Sequence, residues 1–197
     1  MCIRDRPIPL HTSNTSPTFR FKSDKEESSI LLNNNNITHK LVYSNDSYYE
    51  YEITLENLTT NTTYNEGHFK ILLTDALGNT SLPLHVNTFN IDTTPPDVDS
   101  DNTKVTSDNS YNSNFAISGS KVELTIKTNE PINAITADDI TFYADSVTLT
   151  NTIYVESSNN EEEHKSYFYV NSTTNNGVIS VEYTITDLAG NSSTLNL

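Results

Sequence analysis

The sequence is poor in sulfur-containing residues and has no tryptophan: among 197 residues, Cys2 is the only cysteine and Met1 the only methionine. A single cysteine cannot form a disulfide within the chain, which excludes a fold cross-linked by internal disulfides. No run of residues comes near the ~20 consecutive apolar residues that a membrane-spanning helix needs. No apolar segment typical of a signal peptide opens the chain either. We therefore expect no membrane insertion within this segment.

Basic residues are also scarce. The chain has 11 lysines and arginines against 26 acidic residues, so its formal net charge is −15 and its pI is about 4.5. This negative charge repels the phosphates of nucleic acids and of anionic lipids, and it argues against either as a partner. Such a charge is typical of a protein whose surface charge keeps it soluble, or of a protein that binds divalent cations.

Motifs that mark common catalytic sites are missing from the sequence. The five histidines are scattered and form no H-E-x-x-H zinc motif, and there is no G-x-S-x-G nucleophile turn and no glycine-rich phosphate loop. Asp138 and Asp139 are adjacent, and adjacent side chains on a strand point to opposite faces, which is poor geometry for an acid–base pair. We expect a protein that is not an enzyme.

The clearest positive signal is the alternation of apolar and polar residues with a period of two. This alternation is strongest over four segments, residues 48–55, 68–74, 121–127 and 179–186. Shorter runs of the same kind lie around them, separated by Asn, Asp and Gly, and no segment has the apolar period of an amphipathic helix. The pattern predicts an all-β fold in which antiparallel sheets pack as sandwiches.

The sequence NIDTTPPDVDSDN, residues 90–102, predicts a domain boundary. Pro95 and Pro96 fix their own φ angles and lack N–H donors, so neither a strand ladder nor a helix continues through them. We therefore predict one sandwich over residues 17–94 and a second over residues 95–197. Only six residues follow Asn191, and we expect the last strand of the second sandwich to be truncated.

The first residues of the chain differ in character from the rest of the sequence. The segment MCIRDR, residues 1–6, holds the only cysteine, the only methionine and two of the few arginines. A segment of this kind resembles a translated adapter sequence and not the start of a folded module. We expect residues 1–16 to be a disordered or non-native leader.

One short sequence occurs in both halves of the chain. Residues 74–79 read TDALGN and residues 186–191 read TDLAGN, which places Asp75 and Asp187 at matching positions. An aspartate can accept hydrogen bonds from backbone N–H groups just ahead of it, and Gly78 and Gly190 tolerate positive φ angles. The repeat predicts the same strand-to-strand turn in both halves. The alternative is that one of these aspartates is a calcium ligand.

Carboxylates are concentrated beside the double proline. Asp97, Asp99, Asp101 and Asp108 occupy offsets 1, 3, 5 and 12 of a calcium-binding loop. The loop is not an EF-hand, because Asn102 stands where that motif requires glycine and no helices flank it. A looser calcium site explains these residues, and so does a solvated acidic loop. The residues that we predict as candidate calcium ligands are Asp92, Asp97, Asp99, Asp101, Glu130 and Asp187.

Four ordered stretches of the second half carry a family resemblance: DTTPP (92–96), SGSKVELTIKTNEPI (118–132), TADDITF (136–142) and GVISVEYTITDLAGN (177–191). Together they resemble the bacterial immunoglobulin-like repeats of large surface adhesins and biofilm-associated proteins. The first half resembles a related repeat more loosely, through PTFRFKSDKEES (17–28) and YNEGHFKILLTDALGN (64–79). The resemblance implies two tandem immunoglobulin-like antiparallel β-sandwiches.

The same resemblance implies a secreted or cell-surface bacterial protein whose many tandem repeats form a stalk or an adhesive array. Its implied partners are neighbouring repeats of the same chain and a ligand on a cell surface or in the matrix. One alternative is a spacer in a secreted hydrolase. Another is a carbohydrate-binding accessory module, which needs exposed aromatic rings on one sheet face. The candidate rings for that alternative are Tyr48, Tyr143, Tyr154 and Phe168.

Overall fold

The computed structural model describes residues 3–6, 11–33, 35–36, 39–156 and 162–197. The chain divides into two compact units, Met1–Thr93 and Thr94–Leu197. This division lies one residue before the boundary that we placed at the double proline. Each unit is an immunoglobulin-like β-sandwich built around its own hydrophobic core, which confirms the all-β fold class predicted from the alternation.

In the first unit, the described residues form strands β1 (Ile3–Arg6), β2 (His11–Thr12), β3 (Thr18–Ser23), β4 (Glu27–Leu32), β5 (Asn35–Asn36), β6 (His39–Ser44), β7 (Tyr49–Thr54), β8 (Thr62–Tyr64), β9 (Lys70–Asp75), β10 (Leu84–His85) and β11 (Phe89–Ile91). Their hydrogen bonds define three sheets, with the orders β1-β3-β7-β6, β10-β9-β4-β5 and β2-β11-β8. All three sheets contribute side chains to one core.

Aromatic residues fill much of this first core. Phe21 of β3 lies opposite Tyr51 of β7 in the antiparallel pair, and their ring centroids are 5.8 Å apart. Because alternate residues of a strand face the same side, the predicted period-two pattern appears directly as alternating burial along β3 and β9. The large, fully buried side chains of this unit are Phe19, Phe21, Ile30, Tyr51, Ile53, Leu55, Ile71, Phe89 and Ile91.

Part of the segment that we expected to be a disordered leader takes part in the sheets. β1 pairs antiparallel with β3, with Arg4 opposite Phe21, and β2 pairs in parallel with β11, with His11 opposite Asn90. The expectation of disorder is therefore wrong for residues 3–6 and 11–12, while residues 1–2 and 7–10 lie outside the described residues. The physical reason is that the edge of a sheet presents unpaired N–H and C=O groups, with which an extended segment of almost any composition can pair.

In the second unit, the described residues form strands β12 (Lys104–Ser107), β13 (Lys121–Lys127), β14 (Ile140–Ala144), β15 (Val147–Thr148), β16 (Tyr154–Glu156), β17 (Glu163–Tyr169), β18 (Ile179–Thr186) and β19 (Ser192–Asn196), with a 3-10 helix at Ala137–Asp139. The two sheets have the orders β12-β13-β17-β16 and β15-β14-β18-β19. Every strand pair in them is antiparallel. No helix among the described residues is long and apolar enough to cross a membrane.

The core of the second unit lies between its two four-stranded sheets. Phe142 of β14 and Phe168 of β17 come from opposite sheets and meet edge to face, with ring centroids 4.9 Å apart. β13 contributes its alternate residues Val122, Leu124 and Ile126, all buried. The last strand, β19, pairs with β18 at five successive positions.

Candidate functional site

The repeated turn follows β9 in the first unit. One carboxylate oxygen of Asp75, Oδ1, accepts hydrogen bonds from the backbone N–H groups of Leu77 at 3.0 Å and Asn79 at 2.9 Å. The other oxygen, Oδ2, accepts one from the side-chain amide of Asn79 at 3.0 Å. Gly78 donates its N–H to the Asp75 carbonyl at 3.0 Å, and its φ of +84° is a conformation that glycine adopts without steric cost. A single carboxylate thus organises the whole corner.

The turn after β18 in the second unit repeats this arrangement. Oδ1 of Asp187 accepts hydrogen bonds from the backbone N–H groups of Ala189 and Asn191, both at 2.8 Å. Oδ2 accepts one from the side-chain amide of Asn191, also at 2.8 Å, and Gly190 has a φ of +92°. The Asp187 residue is only 1% exposed. The prediction that TDALGN and TDLAGN form the same strand-to-strand turn is confirmed.

The hydrogen bonds to Asp75 stabilise its ionised form. The side-chain amide of Asn79 is the main cause, followed by the backbone N–H groups of Asn79 and Leu77 and by Lys25, and together they lower the pKa of Asp75 to about 2. The Lys25 Nζ atom lies 3.4 Å from Oδ2 of Asp75. A carboxyl group with so low a pKa stays ionised near neutral pH, so it has no proton to donate as a general acid.

Asp138 and Asp139 lie in the 3-10 helix Ala137–Asp139 and not on a strand, which corrects the geometry that we assumed for them. Oδ2 of Asp139 accepts hydrogen bonds from the N–H of Thr136 at 2.8 Å and from its hydroxyl at 2.7 Å. Both bonds run from Thr136, the residue that precedes the helix, to the carboxylate of Asp139, and they satisfy donors at the start of the helical turn. The Asp139 carboxylate therefore has a structural role immediately before β14.

Three of the six predicted calcium ligands lie in the turn before β12. Oδ1 of Asp99 accepts a hydrogen bond from the N–H of Asp101 at 3.1 Å, and Oδ2 accepts one from the side chain of Asn102 at 2.6 Å. The Asn102 amide is the main cause that lowers the pKa of Asp99. Asp97 accepts a hydrogen bond from the N–H of Val98 at 2.8 Å. Within the described part of the chain, Asp97, Asp99 and Asp101 do not gather into a group that could hold an ion.

The second unit does bring two other predicted ligands together. Glu130 and Asp187 each offer a carboxylate oxygen, and these oxygens lie within 4.8 Å of each other. Asp187 is anchored beside Ile132 by an isolated β-bridge, and Asn133 donates its side-chain amide to the Asp187 carbonyl at 2.7 Å. Asp92, the sixth predicted ligand, belongs to the first unit, where it follows β11. Calcium takes roughly six to eight oxygen ligands, so calcium binding by this pair stays a prediction.

Three tyrosines that the sequence did not predict as a group lie on one face of the sheet β12-β13-β17-β16. Tyr154 of β16 lies opposite Tyr167 of β17, and their rings stack with centroids 5.2 Å apart and planes at 17°. The ring of Tyr169 lies 5.6 Å from that of Tyr167 and 6.2 Å from that of Tyr154. We call these three residues the tyrosine cluster. Part of the cluster was predictable from the spacing of Tyr167 and Tyr169, because residues two positions apart on a strand lie on the same face.

A lysine and two glutamates border the tyrosine cluster. The Nζ atom of Lys121 lies 4.2 Å from the centre of the Tyr167 ring. The same atom is 2.6 Å from a carboxylate oxygen of Glu123 and 3.1 Å from one of Glu156. The hydrogen bond to Glu123 is the main cause that raises the pKa of Lys121 above its ordinary value. The lysine is therefore fully charged at neutral pH.

The four aromatic residues named from the sequence have different environments. The prediction that Phe168 is an exposed ring is wrong, because Phe168 is fully buried and points to the opposite face of the strand from its neighbour Tyr167. Tyr154 is 46% exposed and belongs to the tyrosine cluster. Tyr143 is half-buried on β14. Tyr48 is half-buried in the first unit, with Lys22 Nζ 4.5 Å from its ring centre.

No protein-family model matches the sequence, and no curated protein matches it. Among solved structures, a glutamate-to-alanine variant of a titin fragment with three immunoglobulin domains is 12% identical, with a TM-score of 0.42 over 99% of this chain and 63% of that one. The ectodomain of mouse nectin-like molecule 4 is 10% identical, with a TM-score of 0.32 over 98% of this chain and 65% of that one.

A third solved structure is a Bacteroides ovatus protein of a mixed-linkage glucan utilization locus, in complex with a mixed-linkage heptasaccharide. It is 16% identical to this chain, with a TM-score of 0.27 over 98% of this chain and 44% of that one. The chain thus spans less than two thirds of the length of each of the three structures. At these identities and TM-scores the likeness says nothing about function.

Proposed function

We propose that this chain is a structural and adhesive segment, without catalytic activity, of a large bacterial protein that is secreted or displayed on the cell surface. In that protein its two sandwiches are members of a longer tandem array of immunoglobulin-like repeats. The observation that carries the proposal is that each of the two compact units encloses its own hydrophobic core. A unit with its own core can fold by itself, and such units can be repeated along a chain.

The charge of the chain supports the same proposal. A formal net charge of −15 on 197 residues keeps a protein soluble and keeps its copies apart through mutual repulsion. Both properties suit an array that extends into solvent. The partners that we propose are neighbouring repeats of the same chain and a ligand on a cell surface or in the matrix.

The environments of the described carboxylates support a non-catalytic role. Asp75, Asp99, Asp139 and Asp187 all accept hydrogen bonds from groups of their own turns. General acid–base catalysis needs a group whose pKa lies near the working pH, whereas the pKa of Asp75 is lowered to about 2. These residues stabilise turns, which is what a structural module requires of them.

Single-molecule force spectroscopy on the full chain tests the mechanical part of the proposal. We expect two separate unfolding peaks, because two independent cores have to be opened. The units have 93 residues (1–93) and 104 residues (94–197). At about 3.4 Å per extended residue, their contour-length gains should be roughly 320 and 350 Å before the folded length is subtracted. One peak of twice that size, or extension without any peak, would contradict the proposal.

A spacer in a secreted hydrolase is the alternative that the sequence analysis left open. The complete coding sequence separates it from an adhesive array. A series of similar repeats with no catalytic domain is the result that we expect. A catalytic domain encoded in the same protein would instead favour the spacer.

A further inference from the structure

The tyrosine cluster is an exposed, contiguous aromatic surface in the second unit. Tyr154 is 46% exposed and Tyr169 is 48% exposed, while Tyr167 lies half-buried between them. All three rings are within 6.2 Å of one another, measured between centroids. Apolar residues scattered singly over a surface are ordinary, but a contiguous patch marks an interaction site more often.

Polar groups surround these rings. None of the three phenol hydroxyls makes a hydrogen bond to the described part of the chain, so each can donate or accept one towards a ligand. Lys121 provides an ammonium group held by Glu123 and Glu156, at 2.6 and 3.1 Å. Aromatic faces beside fixed donors and acceptors can hold a ligand that is apolar on its flat side and polar at its edge.

We propose that the tyrosine cluster binds a neutral polysaccharide whose sugar rings contact Tyr154 and Tyr169, two rings whose planes lie at 69° to each other. The flat face of a pyranose ring presents C–H groups, which carry slight positive charge and are attracted to the negative face of an aromatic ring. The hydroxyl groups at the edge of the sugar can then bond to the phenol hydroxyls and to the Lys121–Glu156 pair.

Two observations favour a neutral sugar chain over other partners. The net charge of −15 repels anionic glycans and nucleic acids alike. A stable protein interface takes about 20–30 residues on each side, whereas the exposed aromatic surface here consists of three side chains. Cross-strand pairing on the outer face of the sheet explains why the rings touch and why two of them are exposed. The phenol hydroxyls, which make no hydrogen bond to the described part of the chain, are what this pairing leaves available to a sugar.

This inference goes beyond the proposed structural role and does not depend on it. The test is affinity electrophoresis of the full chain through gels that contain a soluble mixed-linkage β-glucan, xylan, galactomannan, dextran or polygalacturonate. Isothermal titration with the retarding polysaccharide then gives the affinity. We expect retardation by at least one of the four neutral polysaccharides and none by polygalacturonate, which is anionic.

Substitutions assign the binding to the cluster. Tyr154→Ala should weaken binding about tenfold, the scale of one aromatic contact, and the double variant Tyr154→Ala with Tyr169→Ala should abolish retardation. Tyr111→Ala is the matched control, because Tyr111 is 97% exposed in the same unit and should leave binding unchanged. All three positions are exposed, and circular dichroism checks that each variant is folded.

Several results would overturn the proposal. These are a chain that no neutral polysaccharide retards, retardation by polygalacturonate equal to that by the neutral chains, and a folded Tyr154→Ala variant that binds as the parent does. Retardation that Tyr111→Ala removes would also overturn it, since it would place the site elsewhere in the unit. The force measurement proposed above is unaffected by any of these outcomes.

Discussion

Replacing Asp187 with alanine tests whether the repeated turn stabilises the corner between β18 and β19. The residue is 1% exposed, and its carboxylate accepts three hydrogen bonds, each at 2.8 Å, from groups of Ala189 and Asn191. Hydrogen bonds to a charged group contribute about 1.5–3 kcal/mol each. The three bonds share one carboxylate, and the freed donors lie in a half-buried turn where water replaces part of the loss. We therefore expect the free energy of unfolding of the second sandwich to fall by about 3 kcal/mol.

Two further variants test whether this loss of stability comes from the hydrogen bonds to the carboxylate. Asp187→Asn keeps one oxygen that can accept hydrogen bonds from the backbone N–H groups of Ala189 and Asn191, so we expect a loss of about 1–2 kcal/mol. Asp75→Ala makes the same change in the first sandwich. It should lower the stability of that sandwich, because the Asp75 carboxylate accepts hydrogen bonds from the corresponding groups of its own turn. A loss for Asp187→Asn as large as that for Asp187→Ala would show that the charge, and not the acceptor geometry, is what stabilises the turn.

Native-state hydrogen exchange measures the effect at the right place. The backbone amides of Tyr183 and Ile185 lie in β18, and their exchange rates report the free energy of opening of that sheet. Far-UV circular dichroism in urea gives an independent value from the shift in the unfolding transition of the second sandwich. A change below about 0.5 kcal/mol for Asp187→Ala, the range of an ordinary surface substitution, would refute the reasoning.

The same structure makes three other predictions. The pKa of Asp75 is about 2 in the folded state and about 3.9 in an unfolded chain; the stabilisation by its carboxylate is therefore complete above about pH 4 and is lost as the pH falls towards 2. An acid titration followed by circular dichroism should show that loss in the parent, and Asp75→Asn should be flatter over the same window. Leu124→Ala removes a side chain that is 0% exposed and should cost about 2–5 kcal/mol in urea unfolding, whereas Thr125→Ala, on the outer face of β13, should cost less than about 1 kcal/mol. The calcium hypothesis predicts that calcium raises the thermal midpoint, that EGTA reverses the shift and that Glu130→Gln removes it; a midpoint indifferent to calcium would end the hypothesis.

The turns could be predicted because everything that forms them lies within five residues. Asp75, Gly78 and Asn79 make their hydrogen bonds to one another. The six-residue sequence TDALGN is therefore enough to predict the turn. The strands were predictable for a related reason, because burial of one face imposes a period of two on each strand separately.

The tyrosine cluster could not be predicted in this way. Tyr154 and Tyr167 are 13 positions apart and meet only because β16 pairs with β17 in one particular register. A slip of one residue in that register would turn Tyr154 to the other face of the sheet. Nothing local to either tyrosine specifies the register, which depends on how the whole sheet buries its inner face.

The sequence by itself therefore determined the all-β class, the strands with a period of two and the repeated aspartate turn. Only the tertiary structure decided that residues 3–6 and 11–12 join the first sandwich, that Glu130 approaches Asp187 and that three tyrosines share an exposed face. The physical reason is the range of the interactions. Dihedral preferences and side-chain-to-backbone hydrogen bonds act over a few residues, whereas strand pairing joins residues that are far apart in the chain and is selected by burial of the complete core.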